Sequence, residues 1–243
     1  MEVVYTKDIP GTFDYQGVVG LIGDLHDLEK YGFDIEGIVY NDNWTVKRFL
    51  NGLHFKLNVR IESLFNYLEL DMSYLNVKIK DLSKTNFKYV LLAYLLLNNK
   101  KIIIFDYFDV GLIYKEQKKL VKIIHNLANE GFKMIVISKD LVFLNQVVDK
   151  LVIIKNQKIV YDKSMKELFK EEKLDIDMPE IIKFIKLAKK KNKSIDYTFD
   201  SLELLKDIYR SVDELNMLLV LLMMGQSSMD FKDFRGIRVC KLR

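Results

Sequence analysis

Between residues 101 and 162, short apolar runs alternate with amphipathic stretches so regularly that an α/β sheet with helical crossovers is the architecture that accommodates them. A strand over 101–106, "KIIIFD", leads to a helix over about 115–130, then to a strand over 133–138, "KMIVIS", and a helix over about 140–148. The segment 150–162, "KLVIIKNQKIVYD", reads as a closing hairpin. Ile102, Ile103 and Ile104 show no polar alternation, which is the pattern of a strand buried on both faces of a parallel sheet. The hairpin turn Asn156-Gln157 lacks the usual glycine, although Asn tolerates a left-handed backbone. Upstream, "QGVVGLIGD" (16–24) and "EGIVYND" (36–42) add two further buried strands, and residues 44–99 read as mostly helical. Two amphipathic segments poor in Gly and Pro follow the core, at 178–191 and 201–211.

The strand over 101–106 delivers the carboxylate of Asp106 to the carboxyl end of a parallel strand, where α/β folds bind ligands. Tyr107 and Phe108 come next, and neither can act as a general base toward water. The 243 residues allow one substantial core with a small appendage. A net charge of +4 is too small and too dispersed for a nucleic-acid surface. The one basic run, Lys189, Lys190, Lys191 and Lys193, reads as a solvated helix end in preference to a contact with acidic lipid headgroups.

Cys240 is the single cysteine and no residue cluster has metal-ligand spacing, so neither a disulfide nor a metal is expected to hold the fold, and a reducing cytoplasm fits. The opening "MEVVYTKDIP" lacks the basic start and apolar centre of a signal peptide. The apolar stretches "YVLLAYLLL" (89–97) and "MLLVLLMM" (217–224) fall well short of the roughly 20 residues that span a bilayer, so membrane association is expected only through a partner. From Val212 onward Met217, Met223, Met224 and Met229 lie close together, a surface suited to docking on the main domain or, as the sharper reading, on a partner.

The order of elements from Tyr74 to Phe169 resembles, segment for segment, the second half of ABC-transporter ATPases, and in particular the ATPases of energy-coupling factor (ECF) vitamin and metal transporters. Residues 176–211 look like the helical C-terminal extension of that branch. The resemblance implies a truncated P-loop NTPase-like α/β fold, a parallel sheet with a helical subdomain and a C-terminal helical extension. It divides the chain into an ABC ATPase-like domain over 1–165 with its helical subdomain at about 44–99, an extension over 166–211, and a Met-rich tail over 212–243.

Motif by motif, the resemblance also implies what has changed. The family's phosphate loop is a glycine-rich turn with a lysine and a serine or threonine opening a helix, because backbone N–H groups, the lysine and the helix dipole together neutralise the triphosphate. Here the strand ends at Gly23 and "DLHDLEKYGF" follows, with no lysine-serine pair and with Asp24 and Asp27 where phosphates would lie. Gly23 and Gly37 are also too close for the usual loop, helix and strands, so the stretch looks deleted. Asn41 stands for the family's sensing glutamine, and Leu82, Ser83, Lys84, Thr85 and Asn86 stand for its Leu-Ser-Gly-Gly-Gln signature. Side chains at both glycine positions obstruct close backbone approach, which leaves Ser83 as a helix cap and phosphate contact. Asp106 matches the magnesium-holding aspartate, Tyr107 stands for the catalytic glutamate, and Phe108 and Asp109 replace a proline and a serine or threonine. Gly111 and Leu112 are kept, Ile113 replaces an aspartate, and Lys139 replaces the histidine that braces the γ-phosphate.

These changes predict a pseudo-ATPase. No catalytic residue is expected, Asp106, Tyr107 and Lys139 being degenerate family positions; Gly23, Asn41, Ser83 and Asp106 are vestigial nucleotide positions. No cofactor is expected where the family uses ATP and magnesium; Asp106 is a weak magnesium candidate, and a strand-end carboxylate without a ligand is the preferred reading. The expected partners are a catalytically competent ABC ATPase subunit and a membrane transport subunit, which would hold the chain peripherally at the cytoplasmic face of the membrane. The alternative is an ATP-binding subunit that contributes one weakened composite site through Ser83 and Asp106. By the same resemblance, Asn41 and the segment "NWTVKRFLNGLHF" match the groove that receives a coupling helix, with Trp44, Phe49 and Leu53 as exposed docking residues, unless these aromatics simply pack the helical block onto the sheet.

Overall fold

The computed structural model describes residues 3–13, 15, 17–51, 57–171, 174, 176–190 and 195–211. Leu53, Lys191, Lys193, the methionine cluster after Val212 and Cys240 lie outside the described residues. The chain divides into two units, Met1–Leu174 and Asp175–Arg243.

The first unit begins with strand β1 (Val3–Thr6), followed by β2 (Val18–Ile22), helix α1 (Leu25–Lys30) and β3 (Ile35–Glu36). Helices α2 (Val46–Asn51), α3 (Leu57–Tyr67) and α4 (Lys84–Leu97) occupy the stretch expected to be helical, with short 3-10 turns at Met72–Asn76 and Ile79–Asp81 between them. Then come β4 (Ile102–Asp106), α5 (Tyr114–Asn129), β5 (Lys133–Ile137), α6 (Leu141–Val147), β6 (Lys150–Lys155), β7 (Lys158–Ser164) and α7 (Met165–Leu168).

The strands form one seven-stranded sheet in the order β3-β1-β4-β5-β2-β6-β7. β4, β5, β2 and β6 run parallel, with Asp106 opposite Ile137 and Val19 opposite Ile135. The expected parallel pairing of 102–106 with 133–137 is therefore present. β7 returns antiparallel beside β6 through Asn156 and Gln157, both left-handed at φ 49° and 63°, the φ signature of a type I′ turn made without glycine.

One expected strand is corrected. Residues 37–40 belong to no strand; β3 is the two-residue Ile35–Glu36, antiparallel to β1 at the sheet edge. β1, which the sequence reading did not assign as a strand, takes the place beside β4, antiparallel with Val4 opposite Ile104. Once β1 fills that place, the 37–40 segment has no partner for a ladder, and Val39 is 87% exposed.

Residues spaced two apart line one face of the sheet: Val19 and Leu21, Ile135 and Ile137, Val152 and Ile154. Leu28 of α1 and the rings of Phe13 and Phe33 cover them, so the short segment around α1 is part of the core. α5 buries Leu120, Ile123, Ile124 and Leu127, the one-face spacing of an amphipathic helix, whereas α4 is apolar on most sides and buries most of its middle. The second unit contains α8 (Glu180–Lys190) and α9 (Ser201–Ser211), which bury Ile182 and Ile185, and Leu204, Leu205 and Ile208 respectively. No helix of the described residues is long and apolar enough to cross a membrane.

Candidate functional site at the carboxyl ends of β2, β4 and β5

Three parallel neighbours end together here: β2 at Ile22, β4 at Asp106 and β5 at Ile137. Asp106 closes its strand half-buried, opposite Ile137. Tyr107 then turns out of the sheet with a left-handed backbone, φ 49°, a conformation that costs a non-glycine residue about 1–2 kcal/mol. Two bonds hold it there. Its N–H donates to the Ile137 carbonyl at 3.0 Å, and its hydroxyl donates to the Gly23 carbonyl at 2.9 Å. The ammonium of Lys139 stands 5.9 Å from the ring centre. Burial, reinforced by the carboxylates of Asp106, Asp24, Asp109 and Asp27, pushes the Tyr107 phenol above its ordinary value, so at neutral pH it remains a proton donor.

The turn after β2 is closed from within. Asp24 caps α1 by accepting from the Asp27 N–H at 3.1 Å, and Asp27 accepts in return from the Asp24 N–H at 3.1 Å. A Cβ placed on Gly23 would meet the Asp27 carboxylate at 3.0 Å, so the acid lies directly against that turn. Two of the N–H groups that an anion could otherwise engage at this point, those of Asp24 and Asp27, are held by the chain's own carboxylates.

Beneath the site is a buried polar network that sequence reasoning missed. Lys88 of α4, 3% exposed, donates to the carbonyls of Phe108 and Val110, both at 2.9 Å, and lies 5.4 Å from the Phe108 ring centre. Ser138, fully buried, donates to Asp109 at 2.8 Å and accepts from the Asp140 N–H at 2.9 Å, while Asp140 caps α6. The other Asp109 oxygen is buried without a hydrogen-bond partner, and burial holds this carboxyl above its usual range. The loop after β4 is thus fixed at Tyr107, Phe108, Asp109 and Val110. The available signal was one lysine inside the apolar run of α4.

Gly23, Asp106, Tyr107 and Lys139 are therefore brought together, while Asn41 and Ser83 sit on other elements. Asn41 is exposed and accepts from the Asn43 N–H at 2.9 Å, an Asx turn ahead of α2. Ser83 is the N-cap of α4 and accepts from the Asn86 N–H at 3.2 Å. The exposed docking surface expected around Trp44 needs correction. Phe49 is 3% exposed and stacks on Tyr94 at 4.8 Å with rings 17° apart, because a ring on the inner side of α2 is best buried against other aromatics. Trp44 is half-buried under the Arg48 guanidinium, 5.2 Å from its ring. Among the described residues no group of three or more His, Cys, Asp or Glu is placed to hold a metal.

A mixed sheet with four central parallel strands, helices packed on it and an antiparallel hairpin at one edge is the architecture of the P-loop NTPase-like α/β fold class. Within that class, the fold is that of ABC transporter ATPases. It matches the structure of cbiO1 from Clostridium perfringens, part of the ABC transporter complex cbiONQ, with a TM-score of 0.52 and 14% identity over 70% of this chain and 87% of that one. It also matches a structure described as an inward-facing metal-chelate type ABC transporter, with a TM-score of 0.50 and 11% identity over 62% and 73% of the two chains. In sequence, 113 residues are 29% identical to a protein of Geobacillus kaustophilus named as a ribose/galactose/methyl galactoside import ATP-binding protein. That match takes in 46% of this chain and 22% of the relative. No family model matches the chain.

Proposed function

We propose that this chain is a non-catalytic relative of the ECF-type ABC transporter ATP-binding subunits, a structural or regulatory half of an ATPase dimer docked on a membrane transport subunit. The observation that carries the reading is the 2.9 Å bond from the Tyr107 hydroxyl to the Gly23 carbonyl. Where the family places a base that activates water, this chain has a phenol held protonated by burial and tied to the turn that would have to receive phosphate. Asp24 and Asp27 add negative charge to the same turn and occupy its donors. In this reading residues 1–165 form the ATPase-like domain, 166–211 the extension and 212–243 a tail, and the chain is held at the cytoplasmic face of the membrane through its partners.

A direct test measures Mg-ATP binding by calorimetry and phosphate release by the purified chain, alone and mixed with a competent ABC ATPase subunit and the membrane subunit. Negligible binding and no hydrolysis by the chain alone, with co-purification of the partners, is the expected result. Micromolar affinity of the isolated chain for Mg-ATP would overturn it. ATP binding that appears only in the mixture would favour a second reading, in which Ser83 at the start of the 14-residue α4, together with Asp106, completes one weakened composite site.

A further inference from the structure

Three large apolar side chains stand exposed in the short loop after β4, Val110 at 61%, Ile113 at 65% and Tyr114 at 71%. Their exposure is built in. Lys88 fixes the carbonyls of Phe108 and Val110, each at 2.9 Å, and Leu112 between them packs inward, so the backbone that presents them is already ordered. The loop leads straight into α5, whose apolar face of Leu120, Ile123, Ile124 and Leu127 is buried. Tyr114, Lys118 and Lys122, spaced four apart, therefore line the opposite, outer face with Lys115 beside them, and all are exposed. The Lys118 ammonium rests 4.5 Å from the Tyr114 ring centre, which joins the apolar loop to the lysine face.

The charge of this face has one sign. Glu116, the one acid of α5, accepts from the Ile113 N–H at 2.9 Å and so is held at the helix start, while Lys119 turns away to donate to the Glu69 carbonyl at 3.1 Å. By charge complementarity the occupant is anionic. The cations are lysines, with no arginine on α5. Protein interfaces enrich arginine and deplete lysine, whereas lysine clusters suit an anionic headgroup layer, where tyrosine also settles. We infer that residues 110–114 and the lysine face of α5 bind the anionic surface of a lipid bilayer directly, with Val110, Ile113 and Tyr114 among the headgroups and Lys115, Lys118 and Lys122 on their negative charges. The contact is peripheral, and it adds to the docking on partners proposed above without depending on it.

Flotation of the full chain with vesicles of phosphatidylcholine, with and without about 30% phosphatidylserine, tests this. Binding to the anionic vesicles should be at least about tenfold tighter and should fade in about 0.5 M salt. Each lysine at such a surface contributes about fivefold, so Lys115→Gln, Lys118→Gln and Lys122→Gln together should weaken binding about a hundredfold. Lys30→Gln, Lys47→Gln and Lys158→Gln, at exposed positions elsewhere, remove the same charge and should weaken it no more than about threefold. Ile113→Ser with Tyr114→Ser leaves α5 a competent N-cap and should weaken binding about tenfold at an unchanged Tm. No flotation with anionic vesicles, equal flotation with both kinds, or equal loss from the two lysine triples overturns the inference. A serine pair that blocks co-purification with a protein subunit, while the unaltered chain does not float, would give this surface to a protein partner and also overturn it. The vesicles contain no partner subunit, so none of these flotation results bears on the proposed function.

Discussion

Replacing Lys88 with methionine keeps the length and apolar stem of the side chain and removes only the ammonium. That ammonium donates to two carbonyls, those of Phe108 and Val110, each at 2.9 Å, from a side chain that is 3% exposed. A hydrogen bond with a charged partner contributes about 1.5–3 kcal/mol net, and both carbonyls would lose their donor. Opposing this, the variant no longer bears the desolvation cost of a buried cation. We expect a net loss of about 3 kcal/mol, which for a unit spanning Met1–Leu174 is a fall of about 6–12 °C in Tm. The loss should also depend on pH. Burial raises the Asp109 carboxyl above its ordinary value, while the Ser138 hydrogen bond and the charge of Lys88 pull it down. A carboxyl raised in the folded state makes stability fall as pH climbs from the ordinary 3.8 through the raised value, because only the folded state still holds the proton. Without Lys88 that value rises further, so the penalty should be larger at about pH 7 than at about pH 4. Urea denaturation at both pH values measures it, and combining the variant with Asp109→Asn in a double-mutant cycle should return a coupling of about 1 kcal/mol. A loss below about 1 kcal/mol that is the same at both pH values would refute the argument that this ammonium holds the loop after β4.

Tyr107→Phe should lower stability by about 1 kcal/mol, or about 2–4 °C in Tm, through loss of the bond to Gly23; calorimetric melting checks it. Phe49→Ala should cost about 3–5 kcal/mol in chemical denaturation, since the ring is core, and a cost under about 1 kcal/mol would return it to the surface. Alkaline titration should destabilise the fold between the ordinary tyrosine value of 10.0 and about 12, because Tyr67, Tyr5 and Tyr161 keep their protons in the folded state after the unfolded chain has released them. Tyr67→Phe should make that part of the stability profile less steep by the share of one tyrosine, read by urea midpoints at successive pH values.

The parallel core was legible because its strands are buried on both faces, which writes unbroken β-branched runs such as Ile102–Ile104 into the sequence. β1 was not legible in the same way. Its four residues, "VVYT", carry too short a pattern to separate a strand from an extended leader, and its partners Ile103, Ile104 and Phe105 lie about 100 positions along the chain. The 37–40 segment was misread for the opposite reason, since an apolar triplet without a neighbouring strand remains loop. At the site, the order of elements was enough to place Gly23, Asp106, Tyr107 and Lys139 together. The bond from Tyr107 to Gly23 was not legible, because it depends on a left-handed tyrosine, which no propensity favours. Lys88 was passed over inside an apolar helix, where its carbonyl partners come from a loop 20 and 22 residues away.

Those two features share a physical consequence. A turn that opens a helix toward a bound anion leaves backbone N–H groups and the helix dipole uncompensated until the anion arrives, and such a fold gains stability when its ligand binds. Here the compensation is internal. Asp24 and Asp27 take each other's N–H groups and place negative charge at the positive end of α1. Tyr107 spans from β4 to the turn after β2, and Lys88 and Ser138 pin the residues that follow it. The Tyr107 N–H and hydroxyl, the Lys88 ammonium and the N–H groups of Asp24 and Asp27 all donate to acceptors from the chain itself. On the proposed reading, these internal bonds hold the sheet ends without drawing on a nucleotide, as suits a subunit whose contribution to a complex is its shape.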